Sequence, residues 1–312
     1  MTVTVIRPGM LTTLQSLPRT GIRHLGVPSG GAADPLSLAL ANRLVGNTWN
    51  ATALEATLLG PVLRFDAART VAIAGAPSRA TLNGKSLRSH AAFFAEPGDE
   101  LATGSAAAGV RFYVAVAGGF EADDVLGSTS TNLQAEFGGF AGRALRKGDV
   151  LESTSKEADI FETPSEFVPP FTGSWALRTC TSSETELLDD VNMLFDNNWS
   201  VGQRADRMGL QLDGAKLKVA SDGRMPSAGV FPGAIQCPED GTPFLLSVDS
   251  GTVGGYPRVA HIARADRHLL GQLRPGDHVR LLRREPDDAV DELLAKIDYW
   301  REWLPDIESI LQ

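Results

Sequence analysis

At 312 residues, with 43% apolar and 21% charged side chains, the chain can build one large domain or two ordinary ones, each with a core. Its net charge of −9 repels phosphate backbones and argues against nucleic acid as a partner. No apolar run approaches the ~20 residues that span a bilayer. Two cysteines, Cys180 and Cys237, are too few for a disulfide framework or a thiolate metal site.

The chain opens on Met1-Thr2-Val3-Thr4-Val5-Ile6, which alternates like a strand and lacks the charged-then-apolar layout of a signal peptide. A cytosolic protein is therefore expected, with no membrane partner. Asp34-Pro35 predicts a first helix, Asp as N-cap and Pro at the first helical position, ending at Gly46. Val62–Phe65, Val71–Ala74, Phe112–Val116 and Phe244–Val248 read as short strands closed by Gly, Pro, Asp or Asn. A Gly-Asp turn precedes an apolar strand three times, at Pro97-Gly98-Asp99, Lys147-Gly148-Asp149 and Pro275-Gly276-Asp277, a recurrence that suits barrel hairpins at the closing edge of similar modules.

Three prolines in Thr163–Phe171 disfavour helix and paired strand alike, which places a domain boundary there. Ser183-x-x-Glu186 reads as a capping box opening a second helix, with Leu187, Leu188, Val191, Leu194 and Phe195 on one face. A third runs from about Asp288 to Pro305, with Val290, Leu293, Leu294, Ile297 and Trp300 in a stripe. Many short strands without strand–helix alternation predict β-barrels with peripheral helices, in a mostly β fold. The expected division is 1–165, 174–284 and a helical tail over 285–312.

Several chemistries find no support. Gly84-Lys85-Ser86 has the lysine and hydroxyl of a phosphate loop, but Arg79 stands where its first glycine belongs. There is no Gly-x-Ser-x-Gly elbow. The five histidines show no i, i+4 pair and no nearby cysteines, so no metal is expected. Instead, two long segments are dense in glycine and polar residues. One runs from Pro8-Gly9-Met10-Leu11-Thr12-Thr13-Leu14-Gln15 through Arg19-Thr20-Gly21 to Gly26-Val27-Pro28-Ser29-Gly30-Gly31-Ala32-Ala33-Asp34. The other runs from Arg204-Ala205-Asp206-Arg207-Met208-Gly209 through Pro232-Gly233-Ala234-Ile235-Gln236 to Asp249-Ser250-Gly251-Thr252-Val253-Gly254-Gly255-Tyr256-Pro257.

With Ala41–Asn47, Leu54–Pro61, Val116–Phe120, Leu126–Thr131 and Gln272–Asp277, these segments closely resemble the allophanate hydrolase subunit 2 family of biotin-dependent carboxyltransferase-like proteins. The resemblance spans roughly residues 3 to 282. Its members include the C subunit of bacterial 5-oxoprolinase, the antagonist of a sporulation kinase inhibitor, and a region of urea amidolyase. Ser16 and Pro18 stand where the family usually has Asp and Gly, Ala33 replaces a usual Met, and Gly251 a frequent Gln. These departures bear on the substrate rather than the family.

The resemblance implies two cyclophilin-like β-barrel domains. It also implies a second cyclophilin-like subunit of the allophanate hydrolase subunit 1 type as partner, and a third lactam-hydrolase subunit. The first expectation is a subunit of an ATP-dependent amidohydrolase acting on 5-oxoproline or a related small amide, with ATP handled by or with partner subunits. The alternatives are carboxyl transfer from carboxybiotin to urea and a non-catalytic antagonist of a kinase inhibitor.

A planar amide presents donors and an acceptor in one plane, an edge that side-chain amides and carboxylates match. Arg207 and Asp249 are thus candidate catalytic residues. Arg19, Gln236, Gly254, Gly255 and Tyr256 are candidate substrate-binding residues, the glycines by admitting backbone N–H groups close to a ligand. An equal alternative makes Arg204, Asp206 and Arg207 an ion-pair network bracing the barrel. Glu55, a charge inside an apolar stretch, is either solvated or turned inward for a function. Asp34 is better explained as a cap than as a base.

Overall fold

The computed structural model describes residues 1–154, 158, 161–220 and 225–311. The chain forms two compact units. The first comprises Met1–Arg19, Gly30–Phe171 and Arg301–Ile310; the second takes in Thr20–Ser29 and Thr172–Trp300. The division differs from the expected one in two places. Thr20–Ser29 belongs to the second unit because the Arg23 guanidinium donates to Val230 O (2.8 Å) and Gly251 O (2.9 Å). The 285–312 tail is no unit of its own, since its residues are shared between both.

The first unit carries eleven named strands. They are Thr2–Arg7 (β1), Leu11–Gln15 (β2), Ala53–Thr57 (β3), Val62–Phe65 (β4), Arg69–Gly75 (β5) and Thr81–Leu82 (β6). Lys85–Ser86 (β7), Ala92–Ala95 (β8), Glu100–Ala102 (β9), Arg111–Val116 (β10) and Val150–Glu152 (β11) follow. Here the structure departs from a single closed barrel, for the strands form two sheets, β11-β1-β4-β9-β6-β7 and β2-β3-β10-β5-β8. Val3, Val5, Leu63 and Phe65 of one sheet share a core with Leu54, Val71, Ile73, Phe112 and Val114 of the other. The alternate residues of β5 and β10 are Ala72, Ala74, Tyr113 and Ala115, also buried. Those mostly small side chains give a second buried face, and helix Pro35–Leu44 (α1) packs on both strands. Helix α1 is therefore not peripheral: eight of its ten residues are buried.

The second unit contains a closed barrel. Its strands are Ser174–Thr181 (β12), Trp199–Ala205 (β13), Gly209–Asp213 (β14), Ala234–Gln236 (β16), Phe244–Leu246 (β17), Arg258–Ile262 (β19) and His278–Arg284 (β20). They close in the order β12-β19-β16-β17-β14-β13-β20, and Ala228–Gly229 (β15) pairs separately with Val253–Gly254 (β18). Leu210, Leu212, Ile235, Leu245, Val259 and Leu281 are almost fully buried, at alternate positions that point inward.

Local signals read from sequence take definite form. The Asp34 side chain accepts from Ser37 N (3.1 Å) at the start of α1. The three Gly-Asp turns close no hairpin, since β9, β11 and β20 pair with β4, β1 and β12 rather than with the strand before each turn. They share one geometry: Gly98, Gly148 and Gly276 have φ of 92°, 90° and 92°. Each Asp carboxylate accepts from the N–H three residues earlier, at Glu96 (2.8 Å), Arg146 (2.7 Å) and Arg274 (3.0 Å). Each glycine N–H donates to a neighbouring strand, at Phe65 O, Val5 O and Val201 O.

The second expected helix does not form as one element. Thr185–Leu187 is a 3₁₀ turn, Leu188 is extended, and only Asn192–Asp196 (α2) is α-helical. Tertiary bonds override the capping box: Thr185 Oγ1 donates to Val259 O (2.6 Å), and Leu188 bridges Val219. The third helix, α3, spans Pro286–Arg301. Ile297 and Trp300 are buried, whereas Val290 and Leu294, expected in the same stripe, are about half exposed. A last short helix, Ile307–Ile310 (α4), follows. Among the described residues no helix is long and apolar enough to cross a membrane.

Candidate functional site

The outer wall of the barrel carries a row of side chains set by strand register. Gln211 on β14 is opposite Phe244 on β17, and Phe244 is opposite Gln236 on β16. Directly opposed residues share a face, and the inward face belongs to Leu210, Leu212, Leu245 and Ile235. Across the next ladder Ala205 pairs with Leu210, and Arg204 precedes it in a stretch where the register shifts, between Val201 and Ala205. Arg204, Gln211, Phe244 and Gln236 line one face of a cavity of ≈ 720 Å³. Leu246, Tyr256 and the Pro238–Thr242 loop complete it. Gly209 makes room on the wall, since a Cβ there would lie 2.4 Å from the Phe244 ring.

Gln236 is largely buried, and its Nε2 donates to Tyr256 O (3.3 Å). Gly254 allows this: an added Cβ would stand 2.6 Å from that Nε2. Gly255 holds the segment by accepting from Met225 N (3.0 Å), and Tyr256 is 49% exposed. On the opposite loop, Asp240 accepts from Thr242 N (2.9 Å), which holds its carboxyl below the usual range, with Lys216 and Arg204 acting in the same direction. Burial, with a smaller push from Asp240, raises the Cys237 thiol to about 11, so it is protonated and not a nucleophile at neutral pH.

The structure does not bring all the sequence candidates together. Gln236 and Tyr256 line the cavity, and Gly254 shapes it from behind Gln236. Arg207 and Asp249 are not among its lining residues. They form a buried bidentate pair, Nε to Oδ2 at 2.6 Å and Nη2 to Oδ1 at 3.1 Å, and Asp249 N donates to Arg207 O (2.8 Å). A buried pair of this kind is what the bracing alternative expects of Arg207, though the other two members do not join it. Arg204 makes no ion pair with a described residue, and the Asp206 carboxylate accepts from Met208 N (2.7 Å) and Gly209 N (3.2 Å).

Arg19 belongs to the first unit, where it donates to Val125 O, Ser128 O and Ser130 O and stacks on Phe137. It fastens the 125–130 loop to the N-terminal segment. Glu55 is buried on β3, accepting from Tyr113 Oη (2.7 Å) and Ala33 N (2.8 Å). Among the described residues no cluster of three His, Cys, Asp or Glu could hold a metal.

Arg204, Gln211 and Phe244 escape sequence reasoning as lining residues because pocket membership follows from register. The alternation Leu210-Gln211-Leu212, with a lone amide between inward leucines, is the one local hint.

A family model for the carboxyltransferase domain, subdomains A and B, matches residues 25–283, and the chain belongs to that family. It is 34% identical to the C subunit of 5-oxoprolinase from Escherichia coli over 92% of both chains, and 30% identical to the Haemophilus influenzae protein of the same name over 92% of this chain and 96% of that one. It is also 32% identical to urea amidolyase of Lachancea kluyveri, over 93% of this chain but 18% of that protein. The crystal structure of Kluyveromyces lactis urea amidolyase matches with a TM-score of 0.90 at 29% identity, over 97% of this chain and 20% of that one.

Proposed function

We propose that the chain is one subunit of a multi-subunit, ATP-dependent amidohydrolase that opens 5-oxoproline or a related small amide. The observation that carries this reading is the match to the C subunit of 5-oxoprolinase, which covers 92% of each chain. The cavity suits such a substrate in kind. Gln236, oriented by its bond to Tyr256 O, offers a side-chain amide to a planar amide edge. Phe244, Leu246 and Tyr256 offer apolar surface to the ring carbons.

ATP belongs to partner subunits in this reading. A triphosphate in the cavity would face the Asp240 carboxylate, with Arg204 the one cationic side chain among the described lining residues to hold several phosphate charges. The residues present do not fit it. The partners are a second cyclophilin-like subunit of the allophanate hydrolase subunit 1 type and a lactam-hydrolase subunit, in the cytosol. Arg207 and Asp249 act in this scheme as a brace for the barrel, not as catalytic groups.

A second reading, carboxyl transfer from carboxybiotin to urea, is favoured by the family and by the urea amidolyase likeness. Gln236 and the apolar wall would accept the ureido ring of biotin, which would supply the transferable carboxyl group. Purification of the protein with its tightest native partners, followed by assays of 5-oxoproline-dependent glutamate formation with ATP, tests the first reading. Urea-dependent carboxylation by that complex, without lactam opening, would replace the first reading with the second.

A further inference from the structure

We infer that Arg204 is the specificity-determining residue of the cavity, selecting a small amide that carries its own carboxylate over a neutral amide. The inference rests on the proposed reading and deepens it. Arg204 lines the cavity, is exposed, and makes no ion pair with any described residue. Two other cations near the cavity are already engaged: Lys216 lies 3.9 Å from Asp240 Oδ2 and donates to Thr242 Oγ1, and Arg258, opposite Gln236, is paired with Glu184. Asp240 in turn is held by Thr242 N. A guanidinium favours a planar anion that can meet it through two hydrogen bonds, as a carboxylate does.

The barrel order supplies the second half of the argument. Arg204 is on β13 and Gln236 on β16, strands three spacings apart in the barrel order, or ~14 Å along the wall. Both side chains line the same cavity of ≈ 720 Å³, within reach of one ligand. A ligand with a carboxylate at one end and an amide at the other satisfies both ends. A neutral ligand such as urea leaves the guanidinium without an anion. Phe244 and Leu246 between them meet the carbons joining the two groups. The Asp240 carboxylate, which also lines the cavity, opposes an anion that is not paired with Arg204, which favours one orientation of the acid.

The test uses the full-length chain and calorimetric binding of three probes: 5-oxoproline, its neutral analogue pyrrolidin-2-one, and urea. Wild type is expected to bind 5-oxoproline at least tenfold more tightly than either neutral probe. Arg204→Gln should erase that preference while leaving the neutral probes within about twofold. Arg204→Lys should restore part of it, and Asp240→Asn should tighten the acid by removing a repulsive charge. In the assembled complex, Arg204→Gln should raise KM for the acid roughly tenfold with kcat nearly unchanged, the scale of one charge-assisted pair. No preference for the acid in wild type, or a preference that survives Arg204→Gln, overturns the inference. Lactam opening by the complex with wild-type KM in Arg204→Gln would sink it while leaving the proposed function standing. Arg204-dependent selection of the acid by a complex that opens no lactam would do the reverse.

Discussion

Arg207 and Asp249 hold each other through two hydrogen bonds, at 2.6 and 3.1 Å, both side chains almost wholly out of solvent. The pair ties the end of the β13–β14 turn to the segment after β17, and the Asp249 N–H bond to Arg207 O closes the same link through the backbone. A buried guanidinium stripped of its carboxylate keeps its desolvation cost without its partner. Arg207→Ala and Asp249→Ala should each cost about 3–5 kcal/mol and lower the melting temperature by more than ~5 °C. The double variant should cost less than the sum of the two. Scanning calorimetry on the three variants decides it. Unchanged melting temperatures together with lost activity would return both residues to the catalytic list.

Which of these features is legible in the sequence follows from how local each is. The Asp34 cap and the Gly-Asp turns as turns are legible because the bonds that make them span three residues. Which strands the turns join is set by distant pairing, and there the hairpin reading fails. The Ser183 box fails because Thr185 and Glu184 are claimed by Val259 and Arg258, partners 74 residues away. Arg207 stays poised between brace and catalyst since its partner lies 42 residues on, and no spacing rule reaches that far. The cavity wall is the least legible, because Arg204, Gln211, Phe244 and Gln236 become neighbours only through the register of four strands.

Gly254 is predicted to act through Gln236. An alanine Cβ there would sit 2.6 Å from Gln236 Nε2, far inside contact distance, so the amide must turn away from Tyr256 O. The backbone at this position is not in the left-handed region, so the stability cost comes from the displaced buried amide, about 1–3 kcal/mol. Gly254→Ala should raise KM of the assembled complex about as much as Gln236→Ala does, roughly tenfold. Wild-type kinetics in Gly254→Ala, with the side chain shown to be in place, would remove Gln236 from the site.

Stability should fall in mild acid because of His268. Burial, and then the charges of Lys296 and Arg178, hold its pKa well below 6.5, while Lys296 Nζ lies 3.2 Å from its Nε2. Burial depresses His90 in the same direction. Such a depressed group contributes its full stability above the unfolded value of about 6.5 and loses it as pH falls towards the folded one. Each such histidine should cost about 1.4 kcal/mol per pH unit below 6.5 while it stays neutral in the fold. Melting curves from pH 7.5 to 5 should slope downward below 6.5, and less steeply in His268→Gln. An identical slope in that variant would assign the effect elsewhere.

Cys237 should be inert in the folded protein. Its thiol is buried beside the cavity and titrates at about 11, so almost no thiolate exists at pH 8. Iodoacetamide at pH 8 should leave it unlabelled in buffer and label it fully in denaturant, read by mass spectrometry. Stoichiometric labelling of the native chain would contradict the buried placement.

Tyr113 offers a one-atom probe of the first unit. Its hydroxyl donates to Glu55 Oε2 (2.7 Å) and accepts from Asp34 N (2.9 Å), so it joins β10, β3 and the start of α1. Burial, reinforced by the Glu55 and Asp34 carboxylates, pushes the phenol well above 10 and keeps it a donor at every working pH. Tyr113→Phe keeps the ring and its packing but leaves the Asp34 N–H with no hydroxyl to meet and Glu55 with one bond fewer. Leaving buried polar groups short of partners costs about 1–3 kcal/mol, so the melting transition should drop by several degrees. Glu55→Gln should cost less than Glu55→Leu, since an amide oxygen still accepts from Ala33 N and from the phenol. Affinity for 5-oxoproline should be unchanged in Tyr113→Phe, because the proposed ligand residues all lie in the other unit. A stable Tyr113→Phe protein that has lost ligand affinity would show instead that Tyr113 serves binding.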